Sequence, residues 1–164
     1  MIKRVLILLA LAACLCCGSA RAQSKRDIPL SELRELVSPG KRVFVVFEDQ
    51  TGDFDEKDEY IREYLTEETR WTVTENEKEA DFILYVEAYS KKADQKLTSK
   101  TYYMTPTVRR PNGKDVWTGE TVCDWANLAN GLRAVRGVSW KLVMDSLKAG
   151  LEKELGDNRV LLNV

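Results

Sequence analysis

Two apolar runs decide the fold of this chain: Val43-Phe44-Val45-Val46-Phe47 and Ala80-Asp81-Phe82-Ile83-Leu84-Tyr85-Val86. The first run is continuous and lies between charged residues, which is typical of a central strand buried on both faces. The second run has the length and the apolar content of another strand. Between them, residues 56–69 space their apolar side chains as an amphipathic helix does. A helix that crosses between two strands favours parallel pairing of those strands.

A β-hairpin is predicted farther along the chain. Residues 101–109 and 115–125 form two β-prone arms around Arg110-Pro111-Asn112-Gly113-Lys114. The Asn-Gly pair predicts the turn because it tolerates the positive φ angles that tight hairpins need. Pro106 interrupts the first arm, and this predicts an edge position or a bulge there.

The remaining elements lie at the two ends of the chain. A short helix is expected over residues 29–37, a terminal strand over 160–164, and fraying over the polar residues 23–27. The last helix is the best amphipathic one, with Ser139 as a candidate N-cap and Gly156 just beyond its end. Its apolar stripe consists of Trp140, Val143, Met144, Leu147, Leu151 and Leu155.

Together these elements predict an α+β fold. We expect a two-layer α/β sandwich, with a mixed sheet of about four to five strands and helices packed on one face. Residues 1–22 are interpreted as a signal peptide, residues 23–40 as an N-terminal tail with a short helix, and residues 41–164 as a single α/β domain.

Residues 1–22 have the layout of an export signal. Lys3-Arg4 gives a positive start, Val5 to Cys17 is an unbroken apolar run, and Ala20-Arg21-Ala22 supplies the small residues of a cleavage site. The run is too short to span a bilayer, which takes about 20 apolar residues. The mature chain is therefore expected without a transmembrane segment, in the periplasm or outside the cell.

A second processing site is the alternative. Leu11-Ala12-Ala13-Cys14 resembles the lipobox of bacterial lipoproteins, in which acylation of Cys14 would anchor the protein in the outer membrane. Cleavage after Ala22 is favoured, because the alternative leaves a short apolar run and puts Cys16-Cys17 into an oxidising compartment as free thiols. Only Cys123 remains after Ala22, so no intramolecular disulfide is expected.

Charge and composition exclude several classes of function. The chain has 25 basic and 26 acidic residues, and removal of Lys3, Arg4 and Arg21 with the signal leaves 22 basic residues and a net charge of −4. A nucleic-acid binder normally carries a basic excess, so no nucleic-acid partner is expected. The chain has no histidine, the usual base of serine and cysteine hydrolases and a common zinc ligand. Phosphate-loop and dinucleotide-binding motifs are absent, and no cofactor is expected.

An acidic stretch supplies the weak candidates for a metal site, namely Asp53, Asp55 and Asp58. Clustered carboxylates suit hard cations such as calcium. The segment nevertheless breaks the EF-hand pattern at the third ligand and lacks the glycine that follows it. The favoured interpretation is that Asp53 or Asp55 caps the following helix.

Exposed aromatic residues are the candidates for a protein contact. Tyr102, Tyr103 and Trp125 are expected on the surface, beside an open edge at the strand that contains Pro106. A different arrangement would favour a ligand or glycan pocket: Trp117 or Trp125 beside a carboxylate, with Glu120 and Asp124 on one face of the same strand.

Basic residues are the last group of candidates. Arg133 and Arg136 precede the predicted last helix, and they serve either an anion or a carboxylate, with a salt bridge to the acidic stretch preferred. The lysines of residues 91–100 and the pair Arg109-Arg110 are interpreted as solvated tips, with contact to an anionic envelope surface as the alternative.

The chain also resembles a group of known proteins. Val43 to Phe47, Ala80 to Leu84, Asp115-Val116-Trp117-Thr118-Gly119 and the final helix resemble small, uncharacterised bacterial envelope proteins, many of them lipoproteins. They are also similar to the envelope α/β domains that include the N-terminal domain of TolB and the curli-assembly protein CsgG. The resemblance spans about residues 41–155 and implies a non-catalytic periplasmic module that docks on other envelope components. It identifies a scaffold and transfers no functional residue.

We therefore expect an exported, non-enzymatic domain that acts through protein contacts in the periplasm or at the outer membrane. The alternative is a small-ligand or glycan-binding module, with carboxylate-based hydrolysis as its catalytic form.

Intact mass spectrometry of the protein from its native host distinguishes the two processing sites. We expect a chain that begins at Gln23 with no added mass, because the signal layout favours cleavage after Ala22. A chain that begins at an acylated Cys14 would contradict this expectation and establish the lipid anchor.

Overall fold

The two apolar runs form neighbouring parallel strands of a mixed sheet. The computed structural model describes residues 25–52, 54, 59–92, 100–126 and 131–156. The strands are β1 (Lys25–Arg26), β2 (Arg42–Asp49), β3 (Thr72–Val73), β4 (Phe82–Lys92), β5 (Lys100–Arg109), β6 (Asp115–Thr118) and β7 (Val122–Ala126). The helices are α1 (Leu30–Leu36), α2 (Glu59–Glu68) and α3 (Gly131–Leu155), with a single 3-10 turn at Glu77–Glu79.

Within the described residues, seven strands make one sheet in the order β1-β6-β5-β4-β2-β3, with β7 paired to β5 beside β6. Strand β2 pairs in parallel with β3 and β4, as a crossover through α2 predicts, and the other pairs are antiparallel. The α+β class is confirmed, but the sheet has more strands than expected. The second hairpin arm is split into β6 and β7, and residues expected to fray form β1.

The two faces of the sheet have different environments. On β2, Val43 and Val45 are 0% and 3% exposed, whereas the alternating Phe44 and Val46 are only half-buried. The expectation that this strand is buried on both faces is therefore wrong. A continuous apolar run signals a buried strand, but here the outward positions are only partly covered.

All three helices pack on the face that carries Val43 and Val45. Leu33 and Val37 at α1, Ile61 and Leu65 on α2 and the apolar stripe of α3 belong to the same core cluster as that face. The stripe of α3 is confirmed from Val143 onward, and its buried members are Val143, Met144, Leu147, Leu151 and Leu155.

Strand β5 lies inside the sheet, between β4 on one side and β6 and β7 on the other. The edge position suggested by Pro106 is therefore wrong. The alternative, a bulge at Pro106, is not seen either, because Pro106 pairs in register with Val86 and the register shift of this strand lies between Val108 and Arg109. Opposite Pro106, three residues separate β6 from β7, and the Gly119 N–H donates to the Pro106 carbonyl at 2.8 Å. The N–H and C=O of one strand residue point to the same side, so the donor that proline lacks falls at this break.

The hairpin turn forms as predicted. Gly113 has a φ of 83°, and within the described residues only glycines have positive φ. The Arg110 N–H donates to the Lys114 carbonyl at 2.9 Å, which closes the turn. This arrangement is typical of a type I turn followed by a glycine in the left-handed region.

Helix α3 begins at Gly131, so Ser139 lies inside the helix and is not its N-cap. The earlier start also places Arg133 and Arg136 within the helix. Gly156 ends it as predicted, with a φ of 67° and its N–H on the Glu152 carbonyl at 2.9 Å.

The predicted signal, both processing sites and the expected strand at 160–164 lie outside the described residues. Within the described ranges, none of the helices combines the length and the apolar content that crossing a membrane requires.

Trp117 joins the sheet to α3. Its side chain is 1% exposed and belongs to the core. A Cβ atom added to Gly150 on α3 would lie 2.7 Å from Trp117 Cζ2, and one added to Gly119 would lie 2.8 Å from Cη2. Among the described residues, the indole N–H has no hydrogen-bond partner. Close packing between two glycines, and not a polar contact, therefore fixes the ring.

Replacement of Gly150 by alanine tests this packing. Substitution of an exposed helical glycine by alanine normally stabilises a protein by about 1 kcal/mol. We expect Gly150→Ala to destabilise the fold by about 1–3 kcal/mol instead, because the new methyl group overlaps the indole.

Urea unfolding of the single variants Gly150→Ala and Trp117→Phe, and of the double variant that combines them, measures the effect and provides the control. The smaller ring should make the Gly150→Ala change less costly in the double variant. A stabilised Gly150→Ala single variant would show that the helix does not approach Trp117 closely.

Candidate binding surface on the open face of the sheet

The sheet face opposite the helices is the candidate binding surface, and we call it the open face. Its apolar residues do not belong to the core cluster that includes the helices. Two residues of this face, Ile83 and Thr107, are nevertheless only 5% and 6% exposed. The open face comprises Phe44, Val46 and Glu48 on β2; Ile83, Tyr85, Glu87, Tyr89 and Lys91 on β4; and Thr101, Tyr103, Thr105, Thr107 and Arg109 on β5.

Aromatic rings on the open face each have a cation beside them. Tyr89 and Tyr103 are register partners whose rings stack at 5.0 Å with an interplanar angle of 9°. Lys91 Nζ lies 5.7 Å from the first ring centroid and 5.3 Å from the second. Arg109 Cζ lies 3.4 Å from the Tyr85 centroid, and Arg62 Cζ on α2 lies 5.7 Å from that of Phe44. Such contacts are worth about 0.5–1 kcal/mol at exposed sites.

Hydrogen bonds fix the polar groups between these rings. The Tyr85 hydroxyl donates to the Glu48 carboxylate, and the Gln50 amide donates to Glu87 Oε1 at 2.6 Å. Thr105 and Thr121 hydroxyls are 2.8 Å apart. The surface is therefore pre-arranged, which lowers the entropy that a partner loses on binding.

Tyr102 and Tyr103 were both expected on the surface, and the structure separates them. Tyr103 lies on the open face. Tyr102 is 3% exposed on the helix-side face, where its ring meets Phe54 edge-on at a centroid distance of 5.5 Å. The prediction of an exposed Tyr102 is wrong, because adjacent strand residues point to opposite faces.

A ligand pocket built on Trp117 is also contradicted, since Trp117 is buried against Gly119 and Gly150. Glu120 lies in the break between β6 and β7 and Asp124 lies on β7, so the two do not share a strand. The Ser146 hydroxyl of α3 donates to the Glu120 carbonyl at 3.1 Å, which ties the break to the helix. Trp125 pairs with Thr101 in register, but its side chain and that of Asp124 lie outside the described part.

Arg133 and Arg136 are placed in the first turns of α3, and their side chains are outside the description. Their proposed anion or carboxylate partner stays a prediction. Asp53, Asp55 and Asp58 also lie outside the described residues. Among the residues that are described, no group of three or more aspartate, glutamate, cysteine or histidine side chains is placed to hold a metal ion.

Asp49 organises the loop that covers the end of the core, a role that the sequence did not reveal. Its carboxylate accepts from the Thr51 N–H at 2.7 Å, the Thr51 hydroxyl at 2.6 Å and the Phe54 N–H at 3.2 Å. Burial raises the pKa of Asp49, but these hydrogen bonds outweigh it and hold the pKa below the usual value. The loop thereby brings Phe54 against Phe47 and Tyr102.

A shallow groove between α2 and α3 is a second surface feature. It is lined by apolar residues such as Leu65, Trp71 and Met144, with Tyr64 at its side. Burial raises the pKa of the Tyr64 hydroxyl, and the neighbouring charges of Asp145 and Glu68 raise it further. Tyr64 therefore stays protonated at neutral pH.

No known protein family matches the sequence, and no curated protein matches it. Solved structures are weakly similar. The PelC dodecamer from Paraburkholderia phytofirmans is 15% identical with a TM-score of 0.44, over 82% of this chain and 98% of that chain. Uncharacterized lipoprotein B from Nitrosomonas europaea is 13% identical with a TM-score of 0.39, over 72% and 81% of the two chains. Because these TM-scores are low, the similarity assigns no function or assembly, and the resemblance to TolB and CsgG stays an expectation.

Replacement of Asp49 by asparagine tests the loop. A carboxyl whose pKa is lowered by folding stabilises the protein above its unfolded pKa of about 3.9, and this stability is lost as pH falls through the folded value. We expect Asp49→Asn to lower the free energy of unfolding by about 1 kcal/mol at pH 7.

The difference between wild type and variant should shrink as pH falls from about 3.9 through the lower pKa of the folded Asp49 carboxyl, where the wild-type carboxylate becomes protonated. Urea unfolding at pH 7 and at a pH below that folded pKa measures it, with Asp27→Asn as a matched exposed control. An equal difference at both pH values would contradict the role of the charge.

Proposed function

We propose that this protein is an exported, non-catalytic domain that works through protein contacts, and that the open face is its contact surface. The observation that carries the proposal is the one-sided packing of the helices. It leaves the rings of Phe44, Tyr85, Tyr89 and Tyr103 on a sheet face that no described helix covers. Export rests on the layout of residues 1–22.

The chemistry of the open face suits a protein partner. Aromatic residues are enriched at protein interfaces because they combine a large apolar area with few rotatable bonds. The stacked Tyr89–Tyr103 pair is already ordered in the free chain. Arg109 is paired with Asp115 and Arg62 with Glu75, so these two cations add little net charge to the surface.

A hydrolase is less well supported by the described residues. Glu48 and Glu87 are register partners on the open face, and they are a candidate carboxylate pair of the kind that glycosidases use. Glu48 is exposed, and each carboxylate already accepts a hydrogen bond from a neighbouring side chain. Catalysis of this type requires a site that excludes water around one acid, and this pair, with Glu48 exposed and Glu87 half-buried on a sheet face, does not provide one.

Site-specific photocrosslinking in intact producing cells tests the proposal. A photoreactive phenylalanine derivative replaces Tyr103 on the open face, and in a separate strain it replaces Tyr60. Tyr60 is a matched control because it is 41% exposed on α2.

We expect a discrete crosslinked protein from position 103 and none from position 60. The same product should diminish when Tyr89 is also changed to alanine, since Tyr89 supports the Tyr103 ring. Equal products from both positions, or none from position 103, would refute the open face as the contact surface.

A further inference from the structure

Strands β4 and β5 extend beyond the end of β2. The last residue of β2 in register is Asp49, opposite Ala88, whereas β4 and β5 continue to pair as far as Lys92 and Lys100. Four further residue pairs therefore project past β2, a distance of about 13 Å at the usual rise per residue. We call residues 89–92 and 100–103 the projecting end. On its other side it is flanked by β7.

The projecting end has a positive net charge, unlike the chain as a whole. It holds Lys91, Lys92 and Lys100 and neither aspartate nor glutamate, while the whole chain has a net charge of −1. Register places Asp124 of β7 opposite Tyr102, so a carboxylate-bearing residue borders the projecting end on that side. An excess of basic residues at one end of an acidic chain makes that end attractive to anionic partners.

Lys91 differs from the other cations of the open face. Arg62 and Arg109 are each paired with a carboxylate. Lys91 is exposed, and within the described residues its ammonium group has no carboxylate within ion-pair distance. Its contacts are the two stacked tyrosine rings. A lysine ammonium group beside two tyrosine rings resembles the residue pairing found at membrane interfaces, where lysines meet phosphates and tyrosines sit at headgroup level.

We propose that the projecting end contacts an anionic lipid surface. The lysines of this end supply the positive charge that attracts the lipid phosphates, and Tyr89 and Tyr103, on the same face as Lys91, lie at headgroup level. Each lysine near an anionic membrane contributes about a fivefold gain in partitioning, so three lysines give a reversible attachment. The proposal does not depend on a protein partner. The competing explanation is that Lys91 and Lys92 only protect the free edge of β4 from aggregation.

Vesicle co-sedimentation of the protein purified from the envelope of producing cells tests the proposal. One set of vesicles is pure phosphatidylcholine, and the other contains about one third phosphatidylglycerol. The test variant is Lys91→Gln/Lys92→Gln/Lys100→Gln. The matched control is Lys78→Gln/Lys114→Gln/Lys141→Gln, which removes the same charge at exposed positions elsewhere.

We expect wild type and control to bind the anionic vesicles and the test variant to bind them about a hundredfold more weakly. Binding should also weaken steeply with added salt, because it is electrostatic. A lipid-anchored form would bind both vesicle types through its acyl chain, but only the lysines would add dependence on lipid charge.

Three results would overturn the proposal. The first is equal binding of the wild type to neutral and anionic vesicles, and the second is equal loss of binding in both triple variants. The third is absence of vesicle binding combined with a crosslinked protein at position 103. That third result would leave the protein-contact function standing and refute the lipid contact alone. The wild-type comparisons hold even if the test variant fails to fold, which circular dichroism would show.

Discussion

One-sided packing of the helices is the constraint on which the rest of the structure depends. The core forms between α1, α2, α3 and the residues of β2, β4 and β5 that face them. Trp117, pressed against Gly150, fixes how closely α3 approaches the sheet. Because no described helix covers the opposite face, its side chains must satisfy one another. They do so through ring stacking, cations beside rings and hydrogen bonds between neighbouring strands.

The sequence predicted the layers well because hydrophobic periodicity reports local environment. The runs at Val43–Phe47 and Phe82–Val86 became strands, the crossover gave parallel pairing, and the last helix buried its stripe. Hydrophobic periodicity could not show that Phe44 and Val46 lie on the open face. It does not distinguish an apolar residue covered by a helix from one that neighbouring side chains partly cover. Strand β1 was missed because its residues, Lys25 and Arg26, are polar, so no hydrophobic pattern marks them as a strand.

The candidate surface was harder to predict than the fold, because register joins residues that are distant in sequence. Tyr89 meets Tyr103, and Tyr85 meets Arg109, only after the β4–β5 pairing is set. A shift of the β4–β5 register by one residue would put Tyr102 on the open face in place of Tyr103. The sequence alone could not distinguish these two positions. Likewise, Pro106 suggested an edge or a bulge, but its strand lies in the interior of the sheet, and the missing donor of Pro106 falls at the break between β6 and β7.

The break between β6 and β7 has a consequence for solubility. An unbroken strand from Asp115 to Ala126 would offer a long ladder of unpaired backbone groups to any passing chain. The irregular residues Gly119–Thr121 divide that ladder into two short pieces, and β1 occupies the first. On this side of the sheet, the described residues therefore leave only the short strand β7 open to a foreign strand. A surface rich in tyrosine and threonine can remain open to a partner while the fold resists uncontrolled polymerisation through this side of the sheet.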